Sequence, residues 1–228
     1  KHGPSGVPAV TLVSEYEYCM GFGHHYLARP TVTLRTGSAT FDISLEVTNL
    51  SKYQSMPLQY MCHMNYAFIP EARMSQSLPD GAFQLRRSVP SHVTPTRQWS
   101  RINEEILAGD IDADSLVGAE AFDPEIVYFA DDLPKYGETV EFRMQAHANH
   151  NFVTRFRTDQ FPVATRWILH NADQRVAAYV LPGTSRPEGR LAAEAAGTLI
   201  HLAAGAARTF SVTTGLLAPG EAFAREVQ

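Results

Sequence analysis

The sequence predicts an all-β fold, mainly antiparallel and built as one domain, and three observations carry that expectation. Apolar and polar residues alternate with period two in segment after segment, the mark of strands with one buried face. Helical periodicity is rare. Fourteen prolines and fifteen glycines are spread along 228 residues, which suits many short strands joined by turns within one large β domain.

The alternation is clearest in ATFDISLEVTNL (39–50). There Phe41, Ile43, Leu45 and Val47 share one face, and Thr40, Asp42, Ser44, Glu46 and Thr48 the other. GETVEFRMQAH (137–147) repeats the pattern with Val140, Phe142, Met144 and Ala146. Further strands are expected at 10–14, 26–34, 151–157, 164–170, 176–181, 198–202 and 209–214. In QWSRINEEILAG (98–109), Trp99, Ile102, Ile106 and Leu107 line one side of a short helix that Gly109 would close, and LAAEAAG (191–197) reads as another turn of helix. Four prolines and the acidic stretch GDIDADS make 71–124 a long excursion from the sheet pattern. No repeat or linker divides the chain, so 1–228 is taken as a single domain.

LQYMCHMNYAFI (58–69) is the segment with chemistry in it. Treated as a strand, it places Leu58, Tyr60, Cys62, Met64, Tyr66 and Phe68 on one apolar face. The opposite face carries Gln59, Met61, His63, Asn65, Ala67 and Ile69, and a row of polar groups there suits a ligand cleft better than a dry core. His63 alone is open to three readings: a hydrogen-bonded structural histidine, a metal ligand, or a proton-handling group.

Composition removes several function classes. A net charge of −5 leaves no basic patch for nucleic acid, Arg86-Arg87 being the one small basic cluster. No apolar run approaches the roughly eighteen residues of a membrane helix. Two cysteines are too few for a disulfide framework or a thiolate zinc site, so a reducing cytoplasm is the expected compartment. His24-His25 and His147/His150 do not point the same way on a strand, although a turn could bring His147 and His150 together; no H-E-x-x-H is present, and no metal is expected. There is no G-x-S-x-G and no G-x-G-x-x-G opening a helix, hence neither a serine-hydrolase elbow nor a dinucleotide cofactor. Glu125 in FDPEIVYF, Asp159 in RTDQFP and Glu188 in SRPEGR are candidate carboxylates, and Trp167 is a candidate stacking surface for a sugar ring.

EVTNLSKYQSMPLQYMCHMNYAF resembles the aldose 1-epimerase (galactose mutarotase-like) superfamily, in which a V-T-N segment precedes a strand bearing a site histidine. The likeness is closer to a less characterised branch whose strand reads L-x-Y-H-x-N-x-G-x-P. Lys1-His2-Gly3 resembles the end of that superfamily's L-H-G motif, although the arginine that often follows is not evident in HGPSG. The tail VAAYVLPGTSRPEGRLAAEAAGTLIHLAAGAARTFSVTTGLL is similar to the branch's closing strands. This resemblance implies a large β-sandwich with a concave carbohydrate-binding face, no cofactor, and further strands ahead of Lys1; a homodimer is compatible with it. It implies an epimerase or isomerase acting on a free sugar or sugar derivative. His63 would be the general acid and His2 would polarise a ring or anomeric oxygen, with Asn65, Gln59, Glu125, Asp159 and Trp167 near the substrate. One departure matters. The superfamily's glutamate base falls on Leu181, which cannot take a proton, so either another carboxylate (Glu125, Asp159 or Glu188) takes that role, or the chemistry differs, or the protein binds sugar without turnover.

Overall fold

The computed structural model describes residues 8–223. In chain order the strands are β1 (Ala9–Val13), β2 (Tyr16–Cys19), β3 (His25–Arg35), β4 (Thr40–Asn49), β5 (Met56–Leu58), β6 (Met74–Gln76) and β7 (Gln84–Leu85). After helix α1 (Arg97–Ala108) come β8 (Ile126–Ala130), β9 (Thr139–Gln145), β10 (Asn151–Arg157), β11 (Val163–His170) and β12 (Arg175–Gly183). Helix α2 (Arg190–Ala195) precedes β13 (Ile200–Leu202) and β14 (Ala207–Leu217).

Two antiparallel sheets pack face to face. The larger runs β1-β3-β4-β14-β10-β9-β6, with β2 also paired to β3; the smaller runs β12-β11-β8-β7, and β5 pairs with β13 apart from both. Period-two burial is clear in β9, whereas β4 is half-buried on both faces over most of its length. In β9, Val140, Phe142 and Met144 are buried while Thr139 and Gln145 are exposed. These residues meet Ile126, Tyr128, Ala164, Ile168 and Tyr179 of the smaller sheet in one apolar core. Polar cross-ties also join the layers: the Tyr66 hydroxyl lies 2.5 Å from Thr214 Oγ1, and Thr154 Oγ1 lies 2.8 Å from the Tyr179 hydroxyl. At one end the larger sheet runs on past this core, leaving Val10, Leu12 and Leu34 exposed on β1 and β3.

The nine segments expected as strands are all present. Helix α1 is also where its periodicity put it: Trp99 and Ile102 are buried, Thr96 Oγ1 accepts the Trp99 N–H, and Gly109 takes the left-handed C-terminal turn at φ 85°. Four strands lack an alternation signal. β2, β6 and β7 are only two to four residues long, and β8 is IVYFA, buried at every position, so it has no polar phase to alternate with.

The 71–124 excursion is pinned to the smaller sheet by Arg166 of β11, whose side chain is 1% exposed. Its guanidinium donates to Tyr179 O (3.1 Å), Ala113 O (2.5 Å), Asp114 Oδ1 (2.7 Å) and Gln76 Oε1 (3.1 Å), and lies over the Phe83 ring. Burial pushes this guanidinium's pKa down, while Asp114 beside it acts in the opposite direction.

Candidate active site on the outer face of the smaller sheet

The segment expected as a strand over 58–69 is extended, but only its start, in β5, belongs to a regular ladder. Beyond that it runs along the free edge of β12 as an irregular ribbon. Thr184 N donates to Tyr60 O and Cys62 N to Pro182 O at one end; Ala177 N donates to Tyr66 O and Phe68 N to Arg175 O at the other. The pairing slips by one residue between these ends, and β12 slips against β11 between Thr165 and Trp167 as well. Pro182 contributes no N–H to the edge, and a bulge breaks a ladder into isolated bridges.

The two-faced reading survives the irregularity. Tyr60, Cys62, Met64, Tyr66 and Phe68 pack against the core, and His63, Asn65 and Ala67 are exposed on the other side. Ile69 departs from the expected alternation and turns to the core. Gln59 is half-buried, its amide donating to Ser185 Oγ at 2.7 Å, which ties the ribbon to the chain beyond β12.

Register defines what His63 overlooks. Ile126, Tyr128 and Ala130 of β8 are in the core, so Val127 and Phe129 lie on the opposite face of the sheet, where both are also buried. Trp167 pairs with Val127 on one side and Ala178 on the other. Thr165 pairs with Phe129 and Leu181, and Val163 with Gly183. Continued by one residue from Cys62–Pro182, the ribbon's register sets His63 opposite Leu181. The imidazole reaches the indole of Trp167, with ring centroids 5.9 Å apart and planes at 65°. An edge-to-face pair of this kind presents an aromatic surface with a proton-carrying group at its rim.

Leu181 is 1% exposed, a buried aliphatic side chain at the position where the resemblance expects a base. Thr165 beside it is 2% exposed, and its Oγ1 is buried without a hydrogen-bond partner. One row further on, the Arg186 guanidinium lies over the Phe129 ring, centroid distance 4.7 Å. It forks onto Asp131, with Nε 2.9 Å from Oδ1 and the second arm on Oδ2.

The remaining candidates are not gathered around His63. Glu125 shares the outer face but sits on the β8 side, three strands from the ribbon. At roughly 4.8 Å per strand its backbone is about 14 Å away. Its carboxylate is occupied by Arg86 (3.3 Å) and His92 (3.2 Å). Asp159 lies in the β10–β11 turn, paired with Arg157, and its carbonyl accepts from Arg208 of β14, so it belongs with the larger sheet. Among the described residues no carboxylate is hydrogen-bonded to His63, and no three His, Cys, Asp or Glu side chains converge as a metal site requires. His2 lies outside the described residues. Sequence reasoning missed Arg186 and Asp131: SRPEGR drew notice for its glutamate, and a fork between residues 55 apart leaves no local pattern.

Two clefts lie at opposite ends of this sheet. One of about 410 Å³ is walled by Asp131, Asp132, Val163, Arg186, Glu188 and Ala192 among others. The second, more open, lies around His170, Asn171 and Arg175 at the β11–β12 turn. Neither is lined by His63, which is exposed, or by Trp167, which is half-buried.

The fold is shared with solved galactose mutarotase-like structures. The chain superposes on a Klebsiella pneumoniae protein provisionally described as an aldose 1-epimerase with a TM-score of 0.67 at 16% identity, covering 92% of this chain and 51% of that one. A galactose mutarotase-like protein from Lactobacillus casei gives 0.57 at 16% identity, covering 93% and 70%. Another from Clostridium acetobutylicum gives 0.54 at 14%, covering 91% and 62%. The chain thus spans between about half and 70% of the length of these structures. No protein-family model and no curated protein matches the sequence. Among the described residues no helix is long and apolar enough to cross a membrane.

Proposed function

We propose that this chain binds a free sugar or sugar derivative on the outer face of its smaller sheet, the ring seated over Trp167 with His63 and Asn65 at its edge. The observation that carries the reading is the contact between exposed His63 and half-buried Trp167. An indole offers an apolar plane to the C–H face of a pyranose, while imidazole and amide groups take its hydroxyls.

The fuller reading is an epimerase or isomerase acting by general acid/base catalysis, and the accessible imidazole of His63 favours it. Protonated His63 would give its proton to the ring oxygen as the C1–O5 bond breaks. The anomeric hydroxyl would lose its own proton as the carbonyl forms, and reversal would close the other anomer. That second proton needs an acceptor near His63. Leu181 is not one, and Glu125 is three strands away. Binding makes no such demand, so Leu181 favours recognition without turnover.

Exchange spectroscopy of the α- and β-anomers of free aldoses and uronic acids, with wild type and His63→Ala, separates the two readings. Exchange accelerated by wild type and abolished in His63→Ala supports the isomerase. Binding with no accelerated exchange for any sugar discards it and leaves recognition.

A further inference from the structure

We infer that the ligand is longer than one sugar ring, and that the cleft between the β8 and β11 ends and α2 is a second subsite taking the next unit of a di- or trisaccharide. This rests on the reading that the first ring lies over Trp167.

Two observations lead there. The cleft belongs to the same sheet face: Val163 and Trp167 lie four residues apart on β11 and point the same way, roughly 14 Å along the strand. One pyranose over Trp167 does not cover that span, and two or three linked rings do. At about 410 Å³ the cleft is large enough for a small organic ligand. Its walls combine an aliphatic side, Val163 and Ala192, with the polar groups of Asp131, Asp132, Arg186 and Glu188.

The polar groups are arranged for neighbouring hydroxyls. Asp131 and Arg186 hold each other in a fork, and Phe129 supports the guanidinium from below, so both are fixed before a ligand arrives. Each is still more than two-fifths exposed, leaving lone pairs and N–H groups to bond adjacent hydroxyls. A cleft built for an anion would leave its arginine unpaired. Here Asp131 and Glu188 pair with Arg186 and Asp132 adds a third carboxylate, so the walls are net negative, which disfavours an anion and suits an uncharged polyol.

The test is calorimetric titration of wild type, Ala192→Trp and Arg186→Lys with glucose, galactose, maltose, cellobiose, lactose and maltotriose. Ala192 is on the exposed side of α2, so the indole fills the cleft without entering the core. Arg186→Lys keeps the charge and removes the fork. The expected result is a di- or trisaccharide bound at least tenfold more tightly than its monosaccharide by wild type, with the advantage falling below threefold in both variants. Monosaccharides bound as tightly as every longer sugar would overturn the inference and leave the Trp167 reading intact. An advantage that persists in Ala192→Trp would overturn the placement of the second ring. No binding of any sugar would overturn both.

Discussion

Arg166 holds the strand that carries Trp167, and replacing it provides a demanding test of how the site is supported. Arg166→Ala removes the donor for two backbone carbonyls, Tyr179 O and Ala113 O, and for Asp114 and Gln76. It also empties the space over Phe83. Removing one partner of a buried ion pair costs about 3–5 kcal/mol. Asp114 is 30% exposed and can regain water, which moves the expectation away from the top of that range. The carbonyls stripped of a donor and the cavity push it back up. The expected loss is about 4 kcal/mol, which for a chain of this size lowers the melting midpoint by about 8–16 °C. Arg166→Met fills most of the volume and should lose about 2–3 kcal/mol, since the cavity contribution largely disappears. Chemical denaturation followed by circular dichroism measures both. A loss below about 1 kcal/mol for Arg166→Ala would show that the 71–124 excursion does not depend on this anchor.

Other expectations are simpler to check. Cys62 is 5% exposed and burial pushes its thiol pKa up, partly offset by a hydrogen bond with Tyr60, whereas Cys19 is exposed; a chromogenic disulfide should therefore titrate one thiol in the native protein and two after unfolding. Thr96→Ala removes the cap of α1 and should cost about 1 kcal/mol in the same denaturation assay. Asp159→Asn should leave sugar affinity unchanged, because the residue lies with the larger sheet. Its hydrogen bond from Arg157 holds the carboxyl below its ordinary value, so the pair's contribution is present above the unfolded-state pKa and is lost as pH falls through the folded one. With side chains 54% and 60% exposed, that contribution should stay within about 0.5 kcal/mol, and a larger acid-range difference between variant and wild type would contradict it.

Much of this fold is legible in the sequence because period-two burial writes itself into the chain, as β9 shows. Residues 58–69 show both the reach and the limit of that logic. The alternation correctly turns His63 and Asn65 outward and Cys62 and Tyr66 inward, since it depends only on an extended backbone. The ladder itself is broken by the slip against β12, which depends on a neighbouring strand more than a hundred residues away. The site divides the same way. His63 and Trp167 can each be singled out by residue type and local pattern, but their contact follows from the order of strands. Glu125 and Asp159 were plausible by composition, yet one is taken by Arg86 and His92 and the other faces the wrong sheet. The Arg186–Asp131 fork was invisible because neither residue has a sequence neighbour that implies the other.

The central claim is that a sugar lies against Trp167, and the two tryptophans of this chain make it directly measurable. Trp99 is buried, and its indole N–H donates to the carbonyl of Glu125, so it serves as an internal reference. In a ¹⁵N-correlated spectrum recorded through a titration with free sugars, the account predicts that the Trp167 indole resonance shifts saturably while the Trp99 resonance stays in place. The shift should be lost with the signal itself in Trp167→Ala, together with measurable affinity. A sugar that binds while the Trp167 resonance remains still, or that binds Trp167→Ala as tightly as wild type, would contradict it.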